Sequence, residues 1–493
     1  MILNVRKDLP AMVLGTLALI VSAFLCPVNH FAVAALLMIC AVAAYLYIVL
    51  VQTDRNWFDI RAIFSAIWLA TLGLAALRLS GYQVEWEKKT WVCQAIAYAT
   101  FHLGVSVGDT YCLGLYDKVK KYIKKHNRYQ FRMHEDRLFW ICVAVTLMGL
   151  VSFLMNVRSQ GFIPFFVKGG GNDYLNFYTK WYIFAVAGTM ISGLSYYVLK
   201  TQKLPVWKQV ILWCSIIYST FVFPILSVNR SALLTAALSL ITAIFYLNKK
   251  RLGVLILCVI LLAGAFAVCT NARGYSEEQL NAFFEPVQLG TEATTEPPAT
   301  EPPATEPPAT EPPATEPPVT EPPATEPAPT ENEGFQLSGT AAFIYSYLTV
   351  SHDNMNEAIK HDVDYTYGIR QMIPFNVILK IPALTEAIDN SSIYKVRDHL
   401  NTVNIIGYAY YDFGMIGVAV LMFIWAVIFG TIQAIFRKDQ GVFSMLALGN
   451  TMTPVVLCFF AVWMSEFTLW MHWGMIFLMF MAANVTVPWK NKK

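Results

Sequence analysis

The chain of 493 residues is poor in charge, since Asp, Glu, Lys and Arg make up only 14% of it. A soluble domain has about 25% charged residues. Hydrophobic residues reach 56% and the mean hydropathy is +0.47. This balance excludes a soluble enzyme with one membrane anchor, a nucleic-acid-binding protein and a secreted disulfide scaffold. The formal net charge of +3 is a small difference and decides nothing by itself.

The sequence also lacks the cysteine patterns of metal and redox sites. The nine cysteines lie in or beside apolar runs, and no CxxC pair or His/Cys cluster is present. They are therefore expected to pack as small apolar side chains, and no metal or other cofactor is predicted. Arg6 and Lys7 precede the first apolar run as in a signal peptide, but further runs follow and no A-x-A site appears. We interpret this run as the first membrane helix.

Apolar stretches of membrane-spanning length dominate the rest of the chain. A spanning helix needs about 20 apolar residues, and unpaired backbone groups exclude other elements in lipid. The stretches that qualify or nearly qualify are 9–27, 31–51, 61–80, 91–115, 138–156, 181–199, 207–228, 231–247, 252–270, 413–436, 441–462 and 466–486. The sequence therefore predicts an all-α polytopic membrane protein with about 12 transmembrane helices.

Lys and Arg set the orientation of these helices. Most of the 36 basic residues fall in alternate connections, which the positive-inside rule assigns to the cytoplasm together with both chain termini. The basic segment 116–137 is one of these connections. We interpret it as an anchor on the cytoplasmic leaflet, and not as a nucleic-acid patch.

One large extracytoplasmic loop divides the chain into three parts. We expect a bundle of spans 1–9 over residues 1–270, the loop with interfacial helices over 271–412, and spans 10–12 over 413–493. The loop holds a low-complexity linker, 291–333, in which six TEPPx pentamers follow one another. Paired prolines cannot pack as helix or sheet, so the repeats predict a disordered, polyproline-like spacer.

Arginines on the predicted outer side are candidates for anion binding. Guanidinium groups bind phosphate oxygens in pairs and stay charged. Arg158, Arg230 and Arg273 each lie at the outer end of a predicted span, and Arg370 and Arg397 lie in the long loop. We therefore expect Arg158, Arg230, Arg273 and Arg370 to contribute to a site for a lipid pyrophosphate at headgroup depth.

A sugar hydroxyl that attacks such a lipid-linked donor needs a base. Histidine titrates near neutral pH and suits this role. The segment Ser351–Asn354, with the sequence SHDN, places His352 beside a predicted interfacial helix, so His352 is the first candidate. Three glycines at 169–171 lack the strand–loop–helix context of a phosphate-binding loop and are read as a flexible connection.

Several short motifs resemble one known family of membrane enzymes. They are FDIRAIFSAIW (Phe58–Trp68), SVNRSALL around Arg230, NARGY around Arg273, YTYGIRQMIPF (Tyr365–Phe375) and YAYYDFGMIG (Tyr408–Gly417). Together with about a dozen spans and a large outer loop, they resemble the Wzy-type O-antigen polymerases, or oligosaccharide repeat unit polymerases. The repeats within 291–333 depart from the usual pattern of this family.

The resemblance implies a metal-independent glycosyltransferase without cofactors in the bacterial cytoplasmic membrane. It would polymerise undecaprenyl-pyrophosphate-linked repeat units into a surface polysaccharide on the outer face. The family pattern assigns the pyrophosphate to Arg230, Arg273 and Arg370, and the base to His352. A flippase and a chain-length regulator are the implied protein partners, and nucleic acid is not one.

Three other functions remain open at this point. A transporter or flippase for lipid-linked sugars also has about 12 spans, but the two similar halves typical of transporters are not visible in the sequence. A glycan ligase would use the same donor with a different acceptor. A non-catalytic scaffold of an envelope complex would not need the arginines at all.

Overall fold

The structure is a computed structural model of the chain. The described residues are 2–53, 55–126, 133–167, 179–248, 339–361, 363–391, 393–397 and 400–484, with a few single positions between 252 and 264. Throughout these residues the regular elements are helices, and no strand occurs among them. The expected all-α class is confirmed for this part of the chain.

Eleven helices occur in the described residues up to 248. They are α1 (Ile2–Leu25), α2 (His30–Tyr47), α3 (Ile60–Ala76), α4 (Lys88–Val107), α5 (Leu113–His126), α6 (Glu135–Gln160), α7 (Lys180–Ala187), α8 (Ile191–Thr201), α9 (Val206–Ile217), α10 (Phe223–Leu226) and α11 (Arg230–Leu247). Short π or 3-10 turns join α4 to α5, α7 to α8 and α9 to α10, so each of these pairs continues in nearly one direction.

Six described helices follow from Gly339 onward. They are α12 (Gly339–Lys360), α13 (Ile373–Leu379), α14 (Pro382–Asp389), α15 (Gly407–Asp439), α16 (Val442–Val456) and α17 (Phe467–Asn484). Among all described helices, 7 runs are long and apolar enough to cross a membrane, and Leu9–Leu25, Ile60–Ala76 and Val442–Val456 are shorter apolar helices. The predicted span 252–270 and the linker 291–333 lie outside the described residues, and the count of 12 spans stays a prediction.

The centre of the bundle is the contact between α4 and α15. Glycines allow the two backbones to touch, because a Cβ on Gly104 would lie 2.5 Å from Phe423 O and one on Gly430 would lie 2.5 Å from Val105 O. Small residues at such a crossing are the usual means of close helix packing in membranes. The main apolar core extends from this contact through α1–α4, α6, α8, α11 and α12 to α15–α17.

A charged network lies at one end of this contact, on the predicted cytoplasmic side. Asp59 is fully buried, receives a bond from Gln433 Nε2 at 2.8 Å and pairs with Arg61 Nε at 3.2 Å. Arg437 Nη2 lies 2.8 Å from both carboxylate oxygens of Asp109, and Arg61 Nη1 lies 3.7 Å from the same group. The network therefore ties α3, the α4–α5 junction and α15 together.

The basic segment begins as the amphipathic helix α5, which docks on the end of α15. Lys438 Nζ contacts Asp117 at 2.5 Å, and Lys120 Nζ lies 3.2 Å from Asp439. Leu115, Val119 and Tyr122 form an exposed apolar stripe at helical spacing. A helix with lysines and an exposed apolar stripe is typical of the membrane surface, in agreement with the anchor interpretation.

Candidate functional site

The predicted base, His352, lies on α12 in a fully buried position. Asn404 Nδ2 donates to its Nδ1 at 3.0 Å, which leaves Nε2 as the ring N–H that donates to Thr71 Oγ1 at 3.1 Å. Trp68 packs edge-on against the ring at 5.4 Å between centroids. The structure thus places His352 between α3 and the segment before α15, where both ring nitrogens have a protein partner.

The residues next to His352 are buried anchors as well. Asp353 accepts hydrogen bonds from Trp86 Nε1 at 2.8 Å and from Gln83 Nε2 at 3.0 Å. Asn354 Nδ2 donates to the carbonyl oxygens of Leu400 and Thr402. The SHDN segment therefore fastens α12 to the loop before α4 and to the chain around residues 400–404.

Asn356, one turn further along α12, completes this set of anchors. Its Oδ1 accepts a bond from Glu87 N at 2.9 Å and one from Thr90 Oγ1 at 2.7 Å. The first backbone N–H groups of a helix have no intrahelical acceptor, so Asn356 supplies a capping contact at the start of α4 from another helix.

Burial sets the protonation of the two central groups. It lowers the pKa of His352 to about 3, so this imidazole is neutral but a weak base at neutral pH. Burial also raises the pKa of Asp353 to about 7, against the opposing effect of the hydrogen bonds from Trp86 and Gln83. The buried Asp353 thus favours its protonated form more than an exposed aspartate does.

A second constellation joins two of the sequence motifs. The backbone of α15 leaves the helical conformation at Phe413 and Gly414, directly after the buried Asp412. The Asp412 carboxylate accepts bonds from Thr366 Oγ1 at 2.5 Å, from Arg370 N at 3.3 Å and from Gln371 Nε2 at 3.1 Å. The YTYGIRQMIPF and YAYYDFGMIG motifs thus form one structural unit that is held by Asp412.

Arg370 is the cation of this unit. Its guanidinium carbon lies 4.5 Å from the Tyr411 ring centre and 5.3 Å from that of Tyr408, and Nη2 donates to Ser391 O at 3.2 Å. Such distances are within the range of cation–π attraction. The side chain is 2% exposed, so the aromatic rings of one motif shield the arginine of the other.

Arg230 has a comparable aromatic environment at a different place in the chain. It is the first residue of α11 and is capped by Asn229, whose Oδ1 accepts a bond from Ala232 N at 2.9 Å. Its guanidinium carbon lies 4.9 Å from the Tyr347 ring centre and 5.8 Å from that of Phe343, both on α12. Arg230 therefore links α11 to α12.

Both arginines are linked to one segment, Leu457–Glu466, which separates α16 from α17 without α-helical structure and is called the outer break below. Tyr347, which packs on Arg230, stacks on Phe460 at 5.2 Å. The 3-10 turn that carries Arg370 packs against the 3-10 turn Trp463–Ser465. The outer break is thus the segment that the neighbours of Arg230 and of Arg370 have in common.

The remaining predicted arginines are placed differently. Arg158 is exposed in the last turn of α6, and the contacts in the described part of the chain do not join it to Arg230 or Arg370. Arg273 lies outside the described residues. The four arginines therefore stay a predicted set, of which Arg230 and Arg370 have neighbours in the same outer break.

Sequence reasoning missed the aromatic part of this region. Tyr347, Tyr408 and Tyr411 form the ring surfaces under the arginines, and Glu466 is an exposed carboxylate at the end of the outer break. Arg370 and Glu466 both lie within electrostatic range of the Tyr408 hydroxyl. The signal in the sequence is the density of tyrosines in YAYYDFG.

Comparison with known proteins gives one family match. A family model described as "Putative O-antigen polymerase" matches residues 391–482, which include the YAYYDFG motif, α15, α16 and the outer break. The match agrees with the resemblance found in the sequence, although the other motifs lie outside the matched residues. No curated protein and no solved structure matches the chain.

The match and the apolar helices together indicate a multi-pass membrane protein, one region of which is similar to O-antigen polymerases.

Proposed function

We propose that this chain is a glycosyltransferase that joins lipid-linked oligosaccharide repeat units into a polysaccharide on the outer face of the bacterial cytoplasmic membrane. The observation that carries the proposal is that Arg230, through Tyr347 and Phe460, and Arg370, through the packing of its 3-10 turn, are both linked to the outer break. The family match over residues 391–482 supports the same class of reaction.

The proposed chemistry is a displacement at the anomeric carbon of the donor glycan. The acceptor hydroxyl oxygen forms the new glycosidic bond, the bond to the polyprenyl pyrophosphate breaks, and the hydroxyl proton goes to a base. Negative charge grows on the leaving pyrophosphate, and guanidinium groups stabilise such charge when they are already in place. Arg230 and Arg370 take this role, and Arg158 and Arg273 complete the set.

His352 is proposed as the base on one structural condition. Its Nε2 faces Thr71 Oγ1 and carries the ring proton, so it can accept the proton of a sugar hydroxyl only if the threonine side chain gives way and the ring proton moves to Nδ1, with the Asn404 amide turned over. Without that movement, His352 contributes by holding α12 against α3 and against Asn404. A flippase and a chain-length regulator remain the proposed protein partners.

The test is a polymerisation assay with the full chain in proteoliposomes and a polyprenyl-pyrophosphate-linked repeat unit. Arg370→Gln and Arg230→Gln are each expected to slow polymerisation about 10²–10³-fold, the usual cost of one charge-stabilising donor. Arg370→Lys keeps the charge but loses the paired donors, and we expect it to recover part of the rate. Product length on gels gives the rate.

Arg137→Gln is the matched control. Arg137 lies in the first turn of α6, at the end of the helix that is predicted to be cytoplasmic, and its Nη1 donates to Ala482 O. This variant should polymerise at the wild-type rate. Folded Gln variants of both Arg230 and Arg370 with wild-type rates would refute the proposal. Transfer of the glycan only to an acceptor other than a repeat unit would identify a ligase. Movement of the lipid-linked repeat unit across the bilayer without chain growth would identify a flippase.

A further inference from the structure

An apolar groove lies between α15 and α17. Both helices pack on α16, which forms the floor of the groove. A cavity of about 290 Å³ opens from it, with an apolar lining of Ile432, Phe443, Ala447, Trp473, Ile476, Phe477 and Phe480. Phe477 is 61% exposed, so the open side faces the surroundings of the bundle, which for a membrane protein are lipid.

Aromatic side chains extend this groove toward the outer break. Trp470 packs on Trp473 at 5.9 Å and on Trp425 of α15 at 5.7 Å between ring centroids. Phe375 of α13 packs on Trp470 at 5.4 Å. A continuous aromatic path therefore runs from α13 to the cavity.

The outer end of this path lies beside Arg370. The 3-10 turn that contains Arg370 leads directly into α13, and α13 packs against α17. Val377, Ile378 and Leu379 at the end of α13 are exposed apolar side chains, as expected for a short helix at the lipid surface. A buried arginine thus lies one short helix away from the outer end of a groove with a purely apolar interior, and this combination suits an anionic amphiphile.

We propose that this groove binds the long hydrocarbon tail of the lipid-linked glycan while its pyrophosphate lies near Arg370. The inference rests on the proposed function for the identity of the head group. From Trp470 to Phe480 the groove extends about 15 Å along α17, half of a hydrocarbon core of about 30 Å. The cavity holds about ten heavy atoms if each takes about the 30 Å³ of a liquid water molecule.

Ala447→Trp tests the groove, because Ala447 lines the cavity and the larger side chain fills it. Ala144→Trp is the matched control, since Ala144 is exposed on α6 and does not line the cavity. The full chain in nanodiscs is photolabelled with a diazirine-bearing polyprenyl pyrophosphate and digested. We expect label on α16 and α17 peptides, reduced about tenfold by Ala447→Trp and unchanged by Ala144→Trp.

The polymerisation assay supplies a second readout. With a long-tailed donor, Ala447→Trp should raise the donor concentration needed for half-maximal rate about tenfold, whereas a donor with a two-isoprene tail should be unaffected. The proposal that the groove binds the tail would be refuted if the label appeared on other peptides or if Ala447→Trp had no effect. It would also be refuted if a diazirine phospholipid labelled the same peptides equally. If the α16 and α17 peptides were labelled but the assay gave no polymer, tail binding in the groove would be supported and the proposed function would be refuted.

Discussion

Gly414 shows how strongly one residue can determine the candidate site. Its φ of +61° and ψ of −147° belong to a region that side-chain-bearing residues rarely adopt. A Cβ at this position would also lie 2.6 Å from the Tyr365 hydroxyl oxygen. The break in α15 and the contact with the YTYGIR segment therefore both require glycine.

We expect Gly414→Ala to lower the free energy of unfolding by about 1–3 kcal/mol, the usual cost of a strained backbone conformation. Because Asp412 lies two residues before Gly414, the polymerisation rate should fall as well. Thermal unfolding in detergent measures the first effect and gel analysis the second.

Gly474→Ala is the control, since Gly474 lies inside α17 and a Cβ there would meet nothing within 4 Å. Alanine favours the helical conformation, so this variant should be as stable as the wild type or slightly more stable. Equal stability of the two variants would contradict the conformational argument for Gly414.

The sequence indicates the chemistry of single side chains but not their surroundings. Arg230 and Arg370 are predicted to bind phosphate because guanidinium groups bind phosphate oxygens in pairs and stay charged, and this role stays a prediction. The environment of His352 could not be predicted, because Thr71 and Asn404 come from remote parts of the chain. These partners occupy both ring nitrogens, and the role of His352 as the base stays a prediction as well.

At the scale of elements, hydropathy predicted the apolar helices but not α12. Except for 252–270, each predicted span coincides with a described helix or helix pair. Helix α12 alternates apolar residues with Ser, His, Asp and Asn, so it reads as an interfacial segment. The structure instead packs α12 against α3 and α4, where side chains such as Asn356 satisfy backbone groups of neighbouring elements.

The charged network at the end of α15 gives an element-scale prediction. Asp109 and Arg437 join the α4–α5 junction to α15 through two contacts of 2.8 Å, and the Asp109 side chain is 12% exposed. In a double-mutant cycle with Asp109→Asn and Arg437→Gln, we expect a coupling free energy of about 1–3 kcal/mol. Thermal unfolding of the four proteins measures it.

The Lys438–Asp117 pair is the comparison, because its side chains are 45% and 36% exposed. Exposed pairs contribute about 0–1 kcal/mol, so a cycle with Lys438→Gln and Asp117→Asn should give a smaller coupling. If both cycles gave the same small value, the network would not tie α15 to α4 as inferred.

At the scale of the whole molecule, the distribution of Lys and Arg gives a prediction for orientation. Green fluorescent protein fused after residue 493 should fluoresce, and alkaline phosphatase inserted after residue 333 should be active, because the two sites are predicted on opposite sides. Phosphatase inserted after residue 130 should be inactive and serves as the internal reference. The opposite pattern would reverse the outer side and separate the arginines from an outer-leaflet substrate.

The anchoring of α12 has a consequence for how this chain can evolve. From Tyr345 onward, side-chain bonds to three other parts of the bundle fix the helix, as with Tyr345 and Gln83 at 2.8 Å. The position of α12 is thus set by its own side-chain bonds and does not depend on the length of the segment before Gly339. A tandem repeat upstream can gain or lose whole pentamers between generations, and lineages of this protein should differ in repeat number while keeping the residues that hold α12.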